Sequence, residues 1–182
     1  AACRRIETAE EVPDLDTLAK SAGLSRFHFH RLFRTATGMT PKAYAMAYRS
    51  ERMRAELGRR KTVTEAIYEA GFNSNGRFYA NSSGMLGMKP KDYQNGGRGA
   101  VIRFAFGKCS LGSILVAASE QGICAIFLGD DPAALTKDLA KRFPKAQLIA
   151  ADQDFKDLVA KVIRFVEAPR TGLDLPLDLR GT

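Results

Sequence analysis

Five side chains of types that bind nucleic acids lie close together early in the sequence. They are Arg26, Phe27, His30, Arg31 and Arg34. An arginine fork can donate two hydrogen bonds to one guanine, and a phenyl ring can contact a thymine methyl group. At 100° per residue, the last four share one face of a helix. These residues indicate a surface for DNA; a solvated basic face with one stray exposed phenylalanine is the alternative.

The neighbouring residues predict a helix-turn-helix unit that positions this face. Gly23 stands where a helix-ending residue with positive φ is wanted, and Ser25 is a favourable N-cap for the next helix. On that second helix the spacing i, i+3, i+4 predicts a buried apolar stripe, formed by Phe29, Leu32 and Phe33. The candidate DNA-binding side chains would then point away from the core.

A longer helix is predicted from Pro41 to Leu57, because Thr40 can cap it and proline is favoured at the first helical position. Its inward side chains are expected to be Tyr44, Tyr48 and Ala55, and its wet side chains Arg49, Arg52 and Arg54. Gly58 ends this helix. The three cations that follow lie near its negative end, which explains them without a binding site.

The first half contains an internal repeat, which predicts a second copy of the same unit. Matched residues recur 48 or 49 positions later, for example Gly23 as Gly71 and Phe29 as Phe78. The positions that match the first binding face are occupied by Asn75, Gly76, Arg77 and Tyr79. Ser82 stands where the first copy has a core phenylalanine, so we expect this copy to be less rigid and to read DNA sequence more weakly.

The charge of the chain is concentrated in this helical region. The net charge is +8 at pH 7, and the stretch from Lys20 to Lys61 contains eleven basic and two acidic residues. Such a block favours a polyanionic partner, because each phosphate that it neutralises releases counterions. We therefore expect a polyanionic partner, with a merely solvated basic face as the alternative.

Length, composition and cysteine content exclude several classes of protein. With 182 residues, 45% of them apolar and 26% charged, the chain has the composition of a globular protein. Its apolar runs fall far short of the roughly 18 residues that cross a bilayer, so no membrane span is expected. Three widely spaced cysteines predict neither a disulfide framework nor a metal site, and favour a reducing, cytoplasmic compartment.

A glycine-rich stretch at residues 96–100 is the predicted linker between a helical domain, 1–95, and a small α/β domain, 101–182. The elements expected in the second domain are strands over Val101–Phe106, Ser113–Ala118 and Gly122–Leu128, helices over 131–142 and 155–166, and an edge strand over Leu173–Leu179. The last is placed at an edge because Pro176 cannot donate to a neighbouring strand.

No catalytic site is predicted in the second domain. The sequence has no histidine after His30, so a cysteine there cannot be activated by a histidine of the same domain. Cys124 lies among isoleucines and is expected in the core, and Cys109 is expected in a loop. We therefore expect no catalytic residue, metal ligand or cofactor in this chain.

Three short motifs lie at the turn or at the ends of the paired helix-turn-helix units. They are Ala70-Gly71-Phe72, Gly38-Met39-Thr40-Pro41 and Gly87-Met88-Lys89-Pro90. Together with the repeat, they resemble the DNA-binding domain of AraC-type transcription activators. The resemblance implies that the second helix of each unit enters the major groove, with both grooves on one face of the duplex. The candidate residues of both units would then approach bases or nearby phosphates.

Two segments of the second half, 119–126 and 175–182, carry a second resemblance. They are similar to the N-terminal, ribonuclease-H-like subdomain of the O6-alkylguanine-DNA alkyltransferases, the latter where that subdomain runs into the catalytic one. An AraC-type unit fused to this subdomain resembles the Ada-type adaptive-response regulators. The fold class expected is thus an all-α double helix-turn-helix followed by a small ribonuclease-H-like α/β subdomain.

The resemblance implies a protein that flips O6-methylguanine out of the duplex and moves its methyl group, once, onto a cysteine of a Pro-Cys-His-Arg motif. That motif is absent from these residues, and the zinc domain of the family would precede Ala1. We therefore expect the chain to bind DNA without repairing it, with zinc only in that preceding domain. A monomer is expected, with alkylated DNA as a partner of the parent protein and RNA polymerase as a further partner.

Two other functions stay open at this point. One is a stand-alone AraC-type activator whose α/β half binds a ligand or dimerises. The other is a protein-interaction protein with no role on DNA. A Pro-Cys-His-Arg motif in the reading frame beyond Thr182 would decide for the adaptive-response regulator.

Overall fold

The computed structural model describes residues 1–9 and 11–167, apart from the side chains of Arg77 and Gln153. The helical half contains α1 (Ala2–Thr8), α2 (Leu15–Ser21), α3 (Arg26–Thr37), α4 (Pro41–Leu57), α5 (Val63–Glu69), α6 (Asn75–Leu86) and α7 (Pro90–Gln94). The α/β half contains β1 (Val101–Cys109), β2 (Gly112–Ser119), β3 (Gly122–Gly129), α8 (Pro132–Arg142), β4 (Gln147–Ala150), a 3-10 turn (Gln153–Phe155) and α9 (Lys156–Glu167). The predicted fold class is confirmed.

Local sequence explains where the helices of the first unit begin and end. The side chain of Ser25 accepts a hydrogen bond from the backbone N–H of His28 at 3.3 Å and so begins α3. Thr40 caps α4 in the same way, through the N–H of Ala43 at 3.2 Å. Gly23 has a φ of +66°, the left-handed conformation that ends α2. The predicted caps and turn are confirmed.

The second unit repeats this plan. Thr62 caps α5 by accepting a hydrogen bond from the N–H of Glu65 at 3.2 Å. Phe78, the counterpart of Phe29, is fully buried, and its ring packs edge-on against that of Phe72 with centroids 5.2 Å apart. The internal repeat therefore corresponds to two structural copies of one helix-turn-helix unit.

The α/β half is built on a mixed sheet with the strand order β3-β2-β1-β4. The first three strands pair antiparallel, and β4 pairs parallel with β1. The three predicted strands are confirmed, each slightly longer than expected, whereas β4 was not predicted because its four residues are too few for a periodicity. The predicted strand over Leu173–Leu179 lies outside the described residues.

The first helix-turn-helix unit has a hydrophobic core of its own. Its buried members are Ile6, Leu18, Ala19, Phe29, Phe33 and Ala45. The rings of Phe29 and Phe33 are 5.8 Å apart, and Phe33 meets Tyr44 edge-on at 5.7 Å. Helix α1, which was not predicted, closes this core through Ile6 and is tied to α4 by a hydrogen bond from the Tyr44 hydroxyl to Glu7. The unit is thus packed without help from the sheet.

The second unit instead shares a core with the α/β half. One continuous cluster joins Met53, Leu57, Ala66, Ile67, Phe78, Met85 and Leu86 to Ile102, Leu115, Ala117, Cys124, Leu135, Leu139 and Phe143. The opposite face of the sheet packs against α9 through Phe155, Val159 and Val162. The sheet therefore lies between α9 on one side and α8 with the second unit on the other.

The two halves approach most closely where α6 ends. A Cβ atom added to Gly87 would lie 2.5 Å from the carbonyl oxygens of Gly122 and Ile123. The hydroxyl of Ser119 also donates a hydrogen bond to the carbonyl oxygen of Gly87. Residue 87 must therefore be glycine for two reasons, the lack of space and its φ of +63°.

Five side chains of the helical half lie elsewhere than expected, among them Arg49 and Arg52, which are half-buried rather than wet. Leu32 is 51% exposed, because a narrow stripe of Phe29 and Phe33 suffices to cover the small core beneath α3. Ala55 is exposed. Arg54, expected to be wet, is half-buried and donates to the carbonyl oxygen of Met85 at 2.5 Å, because α6 and α8 cover that side of α4.

No helix in the described part of the chain is long and apolar enough to cross a membrane.

Candidate nucleic-acid interface

Helix α3 presents the predicted basic face to solvent. Arg26, Arg31 and Arg34 are exposed, and Phe27 is 79% exposed. The other side of this helix is packed in a core, so the phenyl ring remains in water. An exposed apolar ring of this kind is typical of a surface that a binding partner covers. His30 is half-buried and offers only part of its ring. The structure therefore brings the five predicted residues of α3 together on one surface.

The cations of this face differ in what they already contact. Nε of Arg26 lies 3.6 Å from a carboxylate oxygen of Asp16 on α2, and both side chains are mostly exposed. Such an ion pair contributes little and exchanges easily for a phosphate. Within the described residues, no carboxylate lies within 4.0 Å of Arg31 or Arg34. These two guanidinium groups are therefore available to an anion.

The corresponding residues of α6 form a weaker surface. Tyr79 is 52% exposed and Gly76 is exposed, but Asn75 is half-buried. Its Oδ1 atom is buried and has no hydrogen-bond partner among the described residues. The side chain of Arg77 lies outside the described part of the structure. Among the described side chains, the second unit therefore presents one exposed aromatic ring, and the first unit presents a basic face.

In α6, Ser82 stands at the position that Phe33 occupies in the first unit. Ser82 is buried, and its hydroxyl donates to the carbonyl oxygen of Tyr79 at 3.1 Å. Helix α6 lies on β3, with Met85 and Leu86 in the shared core. The expectation of lower rigidity stays a prediction, and the sheet is the element that supports this helix.

The cations after α4 are engaged within the protein. Arg60 donates to Glu56 at 2.7 Å and lies 3.4 Å from Glu69, and Arg59 lies 3.9 Å from Glu56. The hydrogen bond from Arg60 holds the pKa of the Glu56 carboxyl below its usual value. These contacts engage two of the three cations, and Lys61 is exposed, so that the triplet is not a binding site stays a prediction.

Comparison with known families matches each half of the chain separately. A family described as a helix-turn-helix domain matches residues 18–96. The ribonuclease-like domain of 6-O-methylguanine DNA methyltransferase matches residues 102–179. The chain therefore combines a region similar to a helix-turn-helix family with a region similar to the ribonuclease-like domain of a methyltransferase family.

Curated relatives share this combination. The chain is 44% identical over all 182 residues to the bifunctional transcriptional activator/DNA repair enzyme Ada of Escherichia coli, and 41% identical to the regulatory protein ada of Salmonella typhimurium. It covers 51% of each, so the chain spans about half the length of these relatives. The uncharacterized HTH-type transcriptional regulator YdeC of Bacillus subtilis is 33% identical over 81 residues, which are 44% of this chain and 28% of YdeC.

The ribonuclease-like domain holds two cysteines that are poorly placed for chemistry. Cys124 is 2% exposed in the shared core, and burial raises the pKa of its thiol to about 12. Cys109 is the last residue of β1 rather than part of a loop, because β1 extends to the tight turn before Gly112. Its thiol is half-buried and lies 3.5 Å from the Gly112 carbonyl oxygen.

The helical half contains a third thiol. Cys3 is half-buried on α1. Among residues 1–9 and 11–167, no group of three or more histidine, cysteine or acidic side chains could hold a metal ion. The residues that sequence reasoning missed lie instead at the junction of the domains, where Arg54 meets α8; no sequence pattern connects positions so far apart.

Proposed function

We propose that this chain binds double-stranded DNA sequence-specifically through α3, as the DNA-binding part of a transcription regulator that is coupled to repair of alkylated DNA. The observation that carries the proposal is the exposed basic face of α3, with the exposed ring of Phe27 at its N-terminal end, on a helix held by a core on its other side. The printed names of the Escherichia coli and Salmonella relatives support the regulatory and repair functions.

In this proposal the side chains of α3 divide the work by position. Arg31 and Arg34 donate to guanine edges or to phosphates, and Phe27 contacts a thymine methyl group. Arg26 and His30 bind the neighbouring phosphates. In the second unit the contacts would come from Asn75, Gly76, Arg77 and Tyr79. The smaller polar surface of α6 suits backbone contacts that set the register on the duplex.

The repair function belongs in this proposal to the whole protein. That protein would transfer the methyl group of O6-methylguanine to one of its own cysteines, in a single turnover, as a methylated-DNA–protein-cysteine methyltransferase. In this chain, residues 1–95 would form the DNA-binding domain, 96–100 the linker and 101–182 the scaffold subdomain. The burial of Cys124 and the lack of a histidine beside Cys109 support the proposal that neither is the methyl acceptor.

We also propose that the protein acts in the cytoplasm as a monomer on promoter DNA, with RNA polymerase as a further partner. The basic charge of the helical region supports a location on the nucleoid DNA.

The test begins by selecting binding sequences from a randomised duplex pool with the wild-type chain. Fluorescence anisotropy on the selected duplex then compares the wild type with Arg31→Ala at several salt concentrations. We expect the variant to lose about 1–3 kcal/mol of binding free energy and to relax its preference at one base pair. Lys137→Ala, an exposed change on α8 with the same loss of charge, is the control and should bind as the wild type does. If both variants bound the selected duplex with equal affinity, the proposal that α3 binds in the groove would be wrong.

A further inference from the structure

A cavity of about 330 Å³ lies at the junction of the two domains. Its walls come from the end of α4, from α7 with the loop after it, and from the end of α8 with the loop after that. Four cationic side chains line it, Arg54, Lys141, Arg142 and Lys145. No carboxylate is among the lining residues within the described part of the chain. The cavity is therefore strongly positive.

Two arginines that line this cavity are each held by neutral acceptors. Arg142 lies over the ring of Tyr93, with its Cζ atom 5.2 Å from the ring centroid, and its Nη2 atom donates to the Tyr93 hydroxyl at 2.5 Å. The same atom lies 3.4 Å from the carbonyl oxygen of Arg54. Arg54 in turn donates to the carbonyl oxygen of Met85 at 2.5 Å. These contacts fix both groups in place and leave N–H donors on each.

The charges at the cavity are unbalanced. Burial lowers the pKa of Arg54 most, Tyr93 raises it, and the positive charge of Arg142 lowers it further. Glu51, one turn earlier on α4, acts on Arg54 more weakly and forms no ion pair with it within 4.0 Å. A bound anion would reduce the repulsion between the two guanidinium groups and supply the missing counter-charge.

We propose that this junction cavity binds a phosphate group. A phosphate matches the fork of a guanidinium group, which can donate two parallel hydrogen bonds to it. Arg54 and Arg142 would bind the phosphate oxygens, and Lys141 and Lys145, both exposed at the rim, would add charge. The phosphate could come from the backbone of bound DNA, which rests on the proposed function, or from a free phosphorylated small molecule, which does not.

A simpler explanation accounts for part of this arrangement. Lys141 and Arg142 lie in the last turn of α8, where cations are favoured by the helix dipole. That effect does not explain why Arg54 is drawn from solvent beside a second guanidinium group. Cations that only complement helix ends would bind phosphate no better than any other surface lysine, which separates the two explanations by experiment.

The first measurement is isothermal titration calorimetry of the full chain with inorganic pyrophosphate at constant ionic strength. The cavity variant is Lys141→Gln with Lys145→Gln, whose exposed side chains make no hydrogen bond or ion pair in the described structure. The control is Lys137→Gln with Lys161→Gln, which removes the same charge from exposed positions elsewhere on α8 and α9. We expect at least a tenfold loss of pyrophosphate affinity in the cavity variant and little change in the control.

The second measurement is the salt dependence of DNA affinity for the same three proteins. If the cavity holds a backbone phosphate, the slope of log affinity against log salt falls by about 1 in the cavity variant relative to the control. A loss of pyrophosphate affinity without this change assigns the cavity to a free phosphorylated molecule. If neither measurement separates the cavity variant from the control, the inference is overturned. Pyrophosphate binding by a wild-type chain that binds no DNA would overturn the proposed function alone.

Discussion

Burial decides the chemistry of individual side chains in this protein. Arg31 is exposed and has no ion pair within 4.0 Å among the described residues, whereas Arg54, on the next helix, is half-buried beneath α6 and α8. The exposure of Phe27 and Arg31 was predictable, because the helical period places them opposite Phe29. The enclosure of Arg54 was not, because the groups that cover it come from α6 and α8.

Cys124 provides a test at the residue scale. Because burial raises the pKa of its thiol to about 12, only about one molecule in 10⁴ carries the thiolate at pH 8. We expect iodoacetamide to alkylate Cys124 at least tenfold more slowly in the native protein than in denaturant. The rate in the native protein should rise as the pH approaches that pKa. Peptide mass mapping over time measures both rates.

Cys3 and Cys109 are internal controls for this experiment, since both are half-buried. In denaturant all three thiols should react at similar rates. A native Cys124 that reacts as fast as Cys109 would contradict the assigned burial.

At the scale of the elements, one sequence motif has produced two helices with different supports. Helix α3 rests on a core formed within its own unit, and α6 rests on β3. Caps and turns are local and were read correctly from Ser25, Gly23 and Thr40. The packing of α6 on β3 could not be predicted, because the strand lies far along the chain from the helix. From the sequence alone, Ser82 only indicates that a core side chain is missing.

Gly87 and Gly23 separate conformational strain from steric overlap. Both have positive φ, but a Cβ atom at Gly23 meets nothing within 4 Å, whereas one at Gly87 would overlap two backbone carbonyl groups. We expect Gly23→Ala to cost about 1–2 kcal/mol of unfolding free energy, from strain alone. Gly87→Ala should cost on the order of 2 kcal/mol more, because backbone must move.

Urea denaturation followed by circular dichroism measures this difference. If both variants lowered the free energy of unfolding equally, α6 and the turn before β3 could move apart without further destabilisation. The close approach at Gly87 would then not contribute to stability.

At the scale of the whole molecule, the cores do not follow the boundary between the two family matches. The glycine-rich stretch at residues 96–100 lies at that boundary, yet the second helix-turn-helix unit shares its core with the sheet. Cores follow buried apolar faces in space, and α4, α6 and α7 present such faces to the sheet. The first unit is therefore coupled to the rest of the protein mainly through α4.

Substitutions in the two cores should therefore destabilise different regions. Leu115→Ala, on the central strand β2, removes a fully buried side chain and should cost about 2–5 kcal/mol. We expect faster amide hydrogen exchange in α6 as well as in the sheet, with α3 little changed. Phe29→Ala is the matched experiment and should expose the amides of α2 and α3 while leaving α6 protected.

Hydrogen exchange read by mass spectrometry resolves these segments. If Leu115→Ala left the amides of α6 as protected as in the wild type, the second unit would be independent of the sheet and the shared core would carry no coupling.

The sequence by itself determined most of the elements, the caps of α3 and α4 and the basic face of α3, because these depend on residues within a few helical turns of one another, and it showed the repeat because the two copies share residues at a fixed offset. The tertiary structure alone decided the strand β4, the burial of Arg54, the seat of α6 on the sheet and the positive cavity between the domains. Each of these joins residues far apart in the chain, such as Arg54 and Arg142. Local periodicity carries no information on such pairs, since their proximity follows from how the apolar faces of separate elements pack together.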